Sequence, residues 1–225
     1  PLGTAALVMF MGFATPAQAI APAGAKLAIT VTVSHDKDDG EPEEKDAVGV
    51  TIGLSSAAPS LSAPADQTVL PGQSISYSYT ITTNANGPET YNLSAAVTTV
   101  DNIDGSPAVS FEQDGGPITS VILGATAVMT AQSSGNNSIY VPSDGNTLNN
   151  VNSLETGDTV VIGGSVYEVQ GVIYDTLYDN KMISLTENLV ADVDVGDLIA
   201  ERQGFEMIIS GVGVDPEAAA GTVVV

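Results

Sequence analysis

Apolar and polar residues alternate with a period of two in several separate stretches of this chain, a pattern that fits half-buried strands. In Ser74–Thr83, Ile75, Tyr77, Tyr79 and Ile81 fall on one face, with Ser74, Ser76, Ser78, Thr80 and Thr82 on the other. Lys26–Ser34 likewise gathers Leu27, Ile29, Val31 and Val33, and Ala47–Leu54 gathers Val48, Val50, Ile52 and Leu54. These two stretches can pair with each other, or either can extend the edge of another sheet. Beyond the turn Asn84-Ala85-Asn86-Gly87-Pro88, Tyr91, Leu93, Ala95 and Val97 form a further face, so Ser74–Thr83 and the strand after it are predicted to form a hairpin. Frequent Gly, Pro, Ser, Thr and Val favour many short strands, and the expected class is all-β. With 225 residues, 43% of them apolar, the chain has room for one large or two small domains around a real core.

Pro1–Ala25 carries no charge and contains the run Ala5–Phe13, with Leu7, Val8, Met9, Phe10 and Phe13 as its large apolar residues. Ala17-Gln18-Ala19 follows as an A-x-A site, the pattern of a secretory signal, so export is expected. The sequence starts at Pro1 without a basic segment, which leaves three readings of this arm: an uncleaved export signal, a membrane anchor, or a segment packed into an assembly. A spanning helix needs roughly 20 apolar residues in succession. Gly3, Gly12, Pro16 and Pro22 interrupt this one, and cover by neighbouring subunits is the favoured reading.

Against this arm stands a net charge of −22, from 27 acidic and five basic residues. That imbalance makes nucleic acid and anionic membrane surfaces poor partners: no nucleic acid is expected, and membrane contact at most transiently during export. The segment His35–Asp46 packs seven carboxylates and two lysines. Its plain reading is a solvated loop. The alternative is a calcium site on Asp36, Asp38, Asp39 and Glu41, although Gly40 falls one place early for an EF-hand and no Glu closes the loop. No other cofactor is expected. Asn92-Leu93-Ser94 and Asn136-Asn137-Ser138 are sequons, so Asn92 and Asn136 are candidate glycosylation sites.

Catalytic chemistry finds little to work with. One His, no Cys and no G-x-S-x-G exclude the usual hydrolase arrangements, and Ser34-His35-Asp36-Lys37 matches S-x-x-K only at a strand exit. Carboxylates such as Asp101, Asp104, Asp175 and Asp179 are plentiful, but spacing alone places no pair across a cleft. The loop Tyr174–Asn180 combines aromatic and acidic residues and reads first as a turn with anchoring tyrosines. The chain is therefore not expected to be an enzyme.

The run Pro71–Asn84 followed by Asn86-Gly87-Pro88 has the form Gly-x-x-x-x-Tyr-x-x-x-x closing on Asn-x-Gly-Pro. It resembles the immunoglobulin-like repeats of bacterial and archaeal surface proteins. Val214–Val225 is similar to the closing strands of the same class. The resemblance implies a β-sandwich and a surface location, and no activity. Between its two parts lies a different pattern: Leu154–Val169, with the two-glycine hairpin signal Ile162-Gly163-Gly164-Ser165, and Gly157-Asp158 and Gly196-Asp197 each ahead of a short apolar strand. That reads as a half-closed barrel of about five strands. The expected organisation is an arm over 1–25, a strand pair with an acidic loop over 26–58, an immunoglobulin-like sandwich over 59–132 and 204–225, and an inserted small β-module over 133–203.

An apolar arm plus an alternating strand ahead of a sandwich suggests an extracellular filament or surface-layer subunit that polymerises with copies of itself. In donor-strand complementation, Leu27, Ile29, Val31 and Val33 fill the edge groove of the next subunit. The plan is similar to camelysin-like biofilm fibres and archaeal bundling pili. A helical core of arms, as in type IV pilins and archaeal flagella, ranks second, because Ala5 stands where that family has Glu and the prolines kink a helix. The alternative class is a monomeric or membrane-anchored adhesin, or a calcium-dependent binding module. The calcium reading predicts a higher melting midpoint with calcium than with chelator, and equal midpoints remove it.

Overall fold

The computed structural model describes residues 21–23, 26–33, 44–62, 64–69, 72–96, 107–211 and 221–223. All the regular elements among them are strands: β1 (Lys26–Val33), β2 (Glu44–Thr51), β3 (Ser60–Leu61), β4 (Gln67–Val69), β5 (Ile75–Thr82), β6 (Glu89–Asn92), β7 (Ala108–Gln113) and β8 (Gly116–Ile118). The order continues with β9 (Ser120–Leu123), β10 (Ala125–Ala127), β11 (Ser138–Pro142), β12 (Thr159–Ile162), β13 (Ser165–Asp175), β14 (Asn180–Leu185), β15 (Leu198–Ser210) and β16 (Gly221–Val223). The pairings are antiparallel, and the chain is all-β as its alternation predicts.

β15 joins two cores. Near its start it pairs with β10 through Leu198–Ala200 and with β12 through Ile199–Glu201. From Arg202 it pairs with β5, and from Glu206 with β7 as well. Ile199, Glu201, Phe205, Met207 and Ile209 share one parity and are all buried. The strand therefore presents one inward face to both cores.

The first core is a small barrel. β11, β14, β13, β12 and β15 are hydrogen-bonded neighbours in that order. β10 lies on the other edge of β15, and Met129 N–H, just past β10, donates to Tyr140 O of β11 at 2.8 Å, which brings the ends of the ring together. Ile139, Leu154, Val160, Val169, Ile183 and Leu185 fill the interior. At the predicted hairpin Ile162 pairs with Ser165, and Gly163 and Gly164 have φ of 57° and 83°. Those positive values at both central positions define a type I′ turn and explain the two glycines. The turns before β12 and β15 share one lock: Glu155 N–H donates to Asp158 Oδ2 at 2.7 Å, and Asp194 N–H to Asp197 Oδ2 at 2.9 Å. Six strands surround this core rather than about five, because β10 is recruited from upstream of residue 133.

The second core lies between two layers. β3, β5, β15, β7 and β8 form one layer, and the β6–β9 pair packs on it through Ile81, Phe205, Val121 and Leu123. Phe205 stacks on Tyr79 at 5.5 Å between ring centroids and meets Phe111 edge-on at 6.0 Å. Burying such a ring stabilises the fold by about 2–3 kcal/mol. Ile75, Tyr77, Met207 and Ile209 continue the same layer's packing. Separately, β4 pairs with β16, and β1 with β2 over their whole length, Lys26 opposite Thr51 and Val33 opposite Glu44.

Two expectations change. Ser74–Thr83 does not form a hairpin with the strand after it: β5 pairs with β15 and β3, and β6 with β9. Both edges of β5 are taken, so the Asn84–Pro88 connection carries the chain across to the opposite layer. Residue 203/204, expected as a domain boundary, falls inside β15, where Gln203 pairs with Ile81 and Gly204 with Thr80. A boundary there would cut a continuous ladder.

Glu201 sits where β15 passes from one core to the other. It is 3% exposed, accepts from Gly124 N–H at 2.5 Å and from the Gln203 side-chain amide. Burial, reinforced by the charges of Asp158 and Glu155, pushes its carboxyl up to about 7, against the opposing effect of those two hydrogen bonds. The folded state therefore holds this proton more tightly than the unfolded one, whose value is near 4.5. Its contribution to stability is full below about pH 4.5 and falls as pH rises towards 7, by on the order of 2–3 kcal/mol. Glu201→Gln is expected to flatten this part of the pH dependence of the melting midpoint. An unchanged slope in the variant assigns the titration to another group.

Candidate assembly surface

The Asn84–Pro88 crossing places Asn86 where three parts of the chain meet. Its side chain, 5% exposed, donates through Nδ2 to Ala21 O at 2.8 Å and Gly53 O at 3.2 Å, and accepts through Oδ1 from Ser55 N–H at 2.7 Å. Its backbone O accepts from Ala23 N–H at 2.7 Å. An asparagine suits this role because donor and acceptor sit on one short planar group. Gly87 follows for a steric reason, since a Cβ there would lie 2.7 Å from Ala23 Cβ. Farther along, Ala57 N–H donates to Glu89 Oε2 at 3.2 Å, and Tyr91 OH donates to the same oxygen and to Ala57 O. Hydrogen bonds from Ser56, the Ala57 N–H and Tyr91 hold the Glu89 carboxyl below its usual range. The chain entering the β1–β2 ribbon at 21–23 and the chain leaving it at 53–57 are thus both fastened to the sandwich.

Beside this anchor the sandwich is open. A groove of about 540 Å³ runs between β3, β5 and the residues from Thr90 to Ala96. Leu61, Tyr79, Ile81, Leu93, Phe205 and Met207 give it an apolar floor, and none of the described residues lining it is charged. Tyr91 crosses its rim, its hydroxyl 2.8 Å from Thr83 Oγ1. Among the described residues the groove thus combines an apolar floor with an uncharged lining, in a molecule with net charge −22.

The residues singled out from sequence are placed unevenly. Leu27, Ile29, Val31 and Val33 lie on β1, whose inner edge is hydrogen-bonded to β2. Leu7, Val8, Met9, Phe10 and Phe13, with Asp36, Asp38, Asp39 and Glu41, lie outside the described residues, as do Ser34, His35, Lys37, Asp101 and Asp104. Asn92, at the end of β6, and Asn136, ahead of β11, are both exposed. Asp175 and Asp179 sit at the β13–β14 tip, where Tyr174 OH donates to Asp179 Oδ1 at 3.0 Å and Leu177 N–H to Asp175 Oδ1 at 2.9 Å. Those bonds fix a turn, and only one of its two tyrosines anchors it: Tyr178 is 71% exposed. Among the described residues no three acidic or His side chains gather as a metal site, and no helix is long and apolar enough to cross a membrane.

Asn86 and the groove escape sequence reading because each is made by distant segments. The length of Asn84–Pro88 does not distinguish a crossing from a longer hairpin loop, since hairpins with about three to five loop residues are common. Comparison with protein-family models, with curated proteins and with solved structures finds no match to this chain.

Asn86→Ala removes three side-chain hydrogen bonds and leaves the Ala21 and Gly53 carbonyls and the Ser55 N–H without that partner. The expected cost is about 1–3 kcal/mol, concentrated at 21–23 and 53–57. Amide exchange at Ser55 should accelerate strongly while that of Val160 and Ile183 in the barrel stays slow. Equal protection at Ser55 in variant and wild type denies the anchor.

Proposed function

We propose that this protein is a structural subunit of an extracellular filament or surface layer, assembling with copies of itself through its N-terminal arm. The carrying observation is the open, uncharged apolar groove beside the anchored root of the arm. Residues 1–25 carry no charge and include the apolar run Ala5–Phe13, so arm and groove match in character, while contacts between the acidic surfaces of two copies are opposed by repulsion. In this reading Leu7, Val8, Met9, Phe10 and Phe13 of one copy enter the groove of the next. β1, already paired with β2, has its outer edge to offer for donor-strand pairing. A contact between different surfaces of successive copies does not close on itself and yields a filament.

Export and a surface location are part of the same proposal. They are supported by the A-x-A site at Ala17–Ala19 and the exposure of both sequon asparagines. The two-layer antiparallel sandwich is compatible with the immunoglobulin-like repeat resemblance, which remains part of this proposal. An adhesin reading has one observation in its favour: the fixed β13–β14 tip displays Leu177 and Tyr178 at 77% and 71% exposure.

Removal of residues 1–20 tests the proposal together with Leu61→Glu, which places a charge in the groove at a side chain already 55% exposed. Both variants are expected to remain folded and to lose the large assemblies seen by electron microscopy and light scattering for the full chain. Assemblies of unchanged size in both overturn the arm-and-groove reading.

A further inference from the structure

Among the described residues, Lys181 is a lysine with no exposed surface, lying on β14 at the parity of Ile183 and Leu185. Its Nζ is 2.8 Å from Asp144 Oδ1 and 2.7 Å from Asn146 Oδ1, and it also donates to Asn150 O. The Asn146 amide is held from three further directions. Nδ2 donates to Asp144 Oδ2 at 2.6 Å and to Asn150 Oδ1 at 3.3 Å, and Oδ1 accepts from Leu148 N–H at 2.9 Å. One carboxylate thus touches both the amine and the amide nitrogen, one oxygen on each. Asp144 is 12% exposed at its side chain and also accepts from Asn152 N–H at 3.0 Å. Burial raises its carboxyl, but the bonds from Lys181, Asn152 and Asn146 outweigh that and hold it below its ordinary range, as a carboxylate.

We propose that Lys181 and Asn146 join through an intramolecular isopeptide bond, formed by the protein itself with Asp144 relaying protons. The parts required for amide exchange are present: a nucleophile excluded from water, a carboxylate between nucleophile and leaving group, and a backbone N–H on the oxygen that becomes negative. Nζ passes a proton to Asp144 and adds to Cγ of Asn146 once the amide plane turns its face towards it. The Cγ–Oδ1 double bond opens, and the oxyanion is held by Leu148 N–H. The Cγ–Nδ2 bond then breaks. Over the sequence Nζ gives up two protons, and both reach the departing nitrogen through Asp144, which returns to the carboxylate. The products are the Lys181–Asn146 amide and one ammonium ion, with no change in oxidation state. Such a reaction is slow between free amines and amides, and fixed proximity supplies the missing rate. The link spans 35 residues of sequence and fastens β14 to the loop after β11 in a chain that has no cysteine.

Intact-mass measurement on the denatured full chain, followed by peptide mapping, tests this. The wild type is expected to weigh one ammonia less than its sequence and to yield a branched peptide joining the segment of Asn146 to that of Lys181. Asn146→Ala and Lys181→Met each restore the full mass and the separate linear peptides, and Asp144→Asn leaves most of the folded protein unlinked. The proposal is overturned by a wild-type mass without the deficit, by linear peptides alone, by conversion of Asn146 to Asp without a branch, or by a deficit that persists in both linkage variants.

Discussion

β15 is the constraint on which the rest depends. A 13-residue strand has both edges occupied near each end, by β10 and β12 in the barrel and by β5 and β7 in the sandwich. Its single inward face supplies Ile199 to one core and Phe205, Met207 and Ile209 to the other. Two packing problems are solved with one alternation, and neither core can shift register without disturbing the other, because a slip of one residue exchanges the inward and outward faces. Glu201 rides on that face and is buried at the passage between the cores because of its place in the ladder.

Local rules made part of this legible. The alternation of Ser74–Thr83 gives β5 nearly to the residue, and Gly163-Gly164 fixes a hairpin because only glycine takes positive φ at both positions without cost. The pairing of β5 with β15 was hidden, since the partners are far apart in sequence and alternation carries no address. Asn86 was hidden for the same reason: its bonds reach back 65 and 33 residues. Lys181 and Glu201 do carry a signal in the sequence. Each is a charged residue at the inward parity of an apolar strand, Lys181 with Ile183 and Leu185, Glu201 with Ile199 and Phe205.

Both charged residues meet their burial with hydrogen bonds, but differently. Lys181 is surrounded by oxygen atoms from one loop, a carboxylate among them, so until it is linked to Asn146 its amine has a counter-charge at contact distance. Glu201 has amide donors and acidic neighbours, so its charge has none, and neutralisation is the cheaper course. The same principle thus gives an oxygen-lined seat for an amine in the barrel wall and a titrating carboxyl at its junction with the sandwich.

The continuity of β15 also has a mechanical side. A strand of this length extends ~40 Å, and its ladders with β5 and β7 are antiparallel. Tension applied along its axis from opposite ends of the two cores loads those hydrogen bonds in shear, so that many must yield together. Tension applied across the axis peels them one after another. Subunits strung end to end along this strand would resist stretching much better than prying, with the barrel and sandwich acting as grips at either end of one cord.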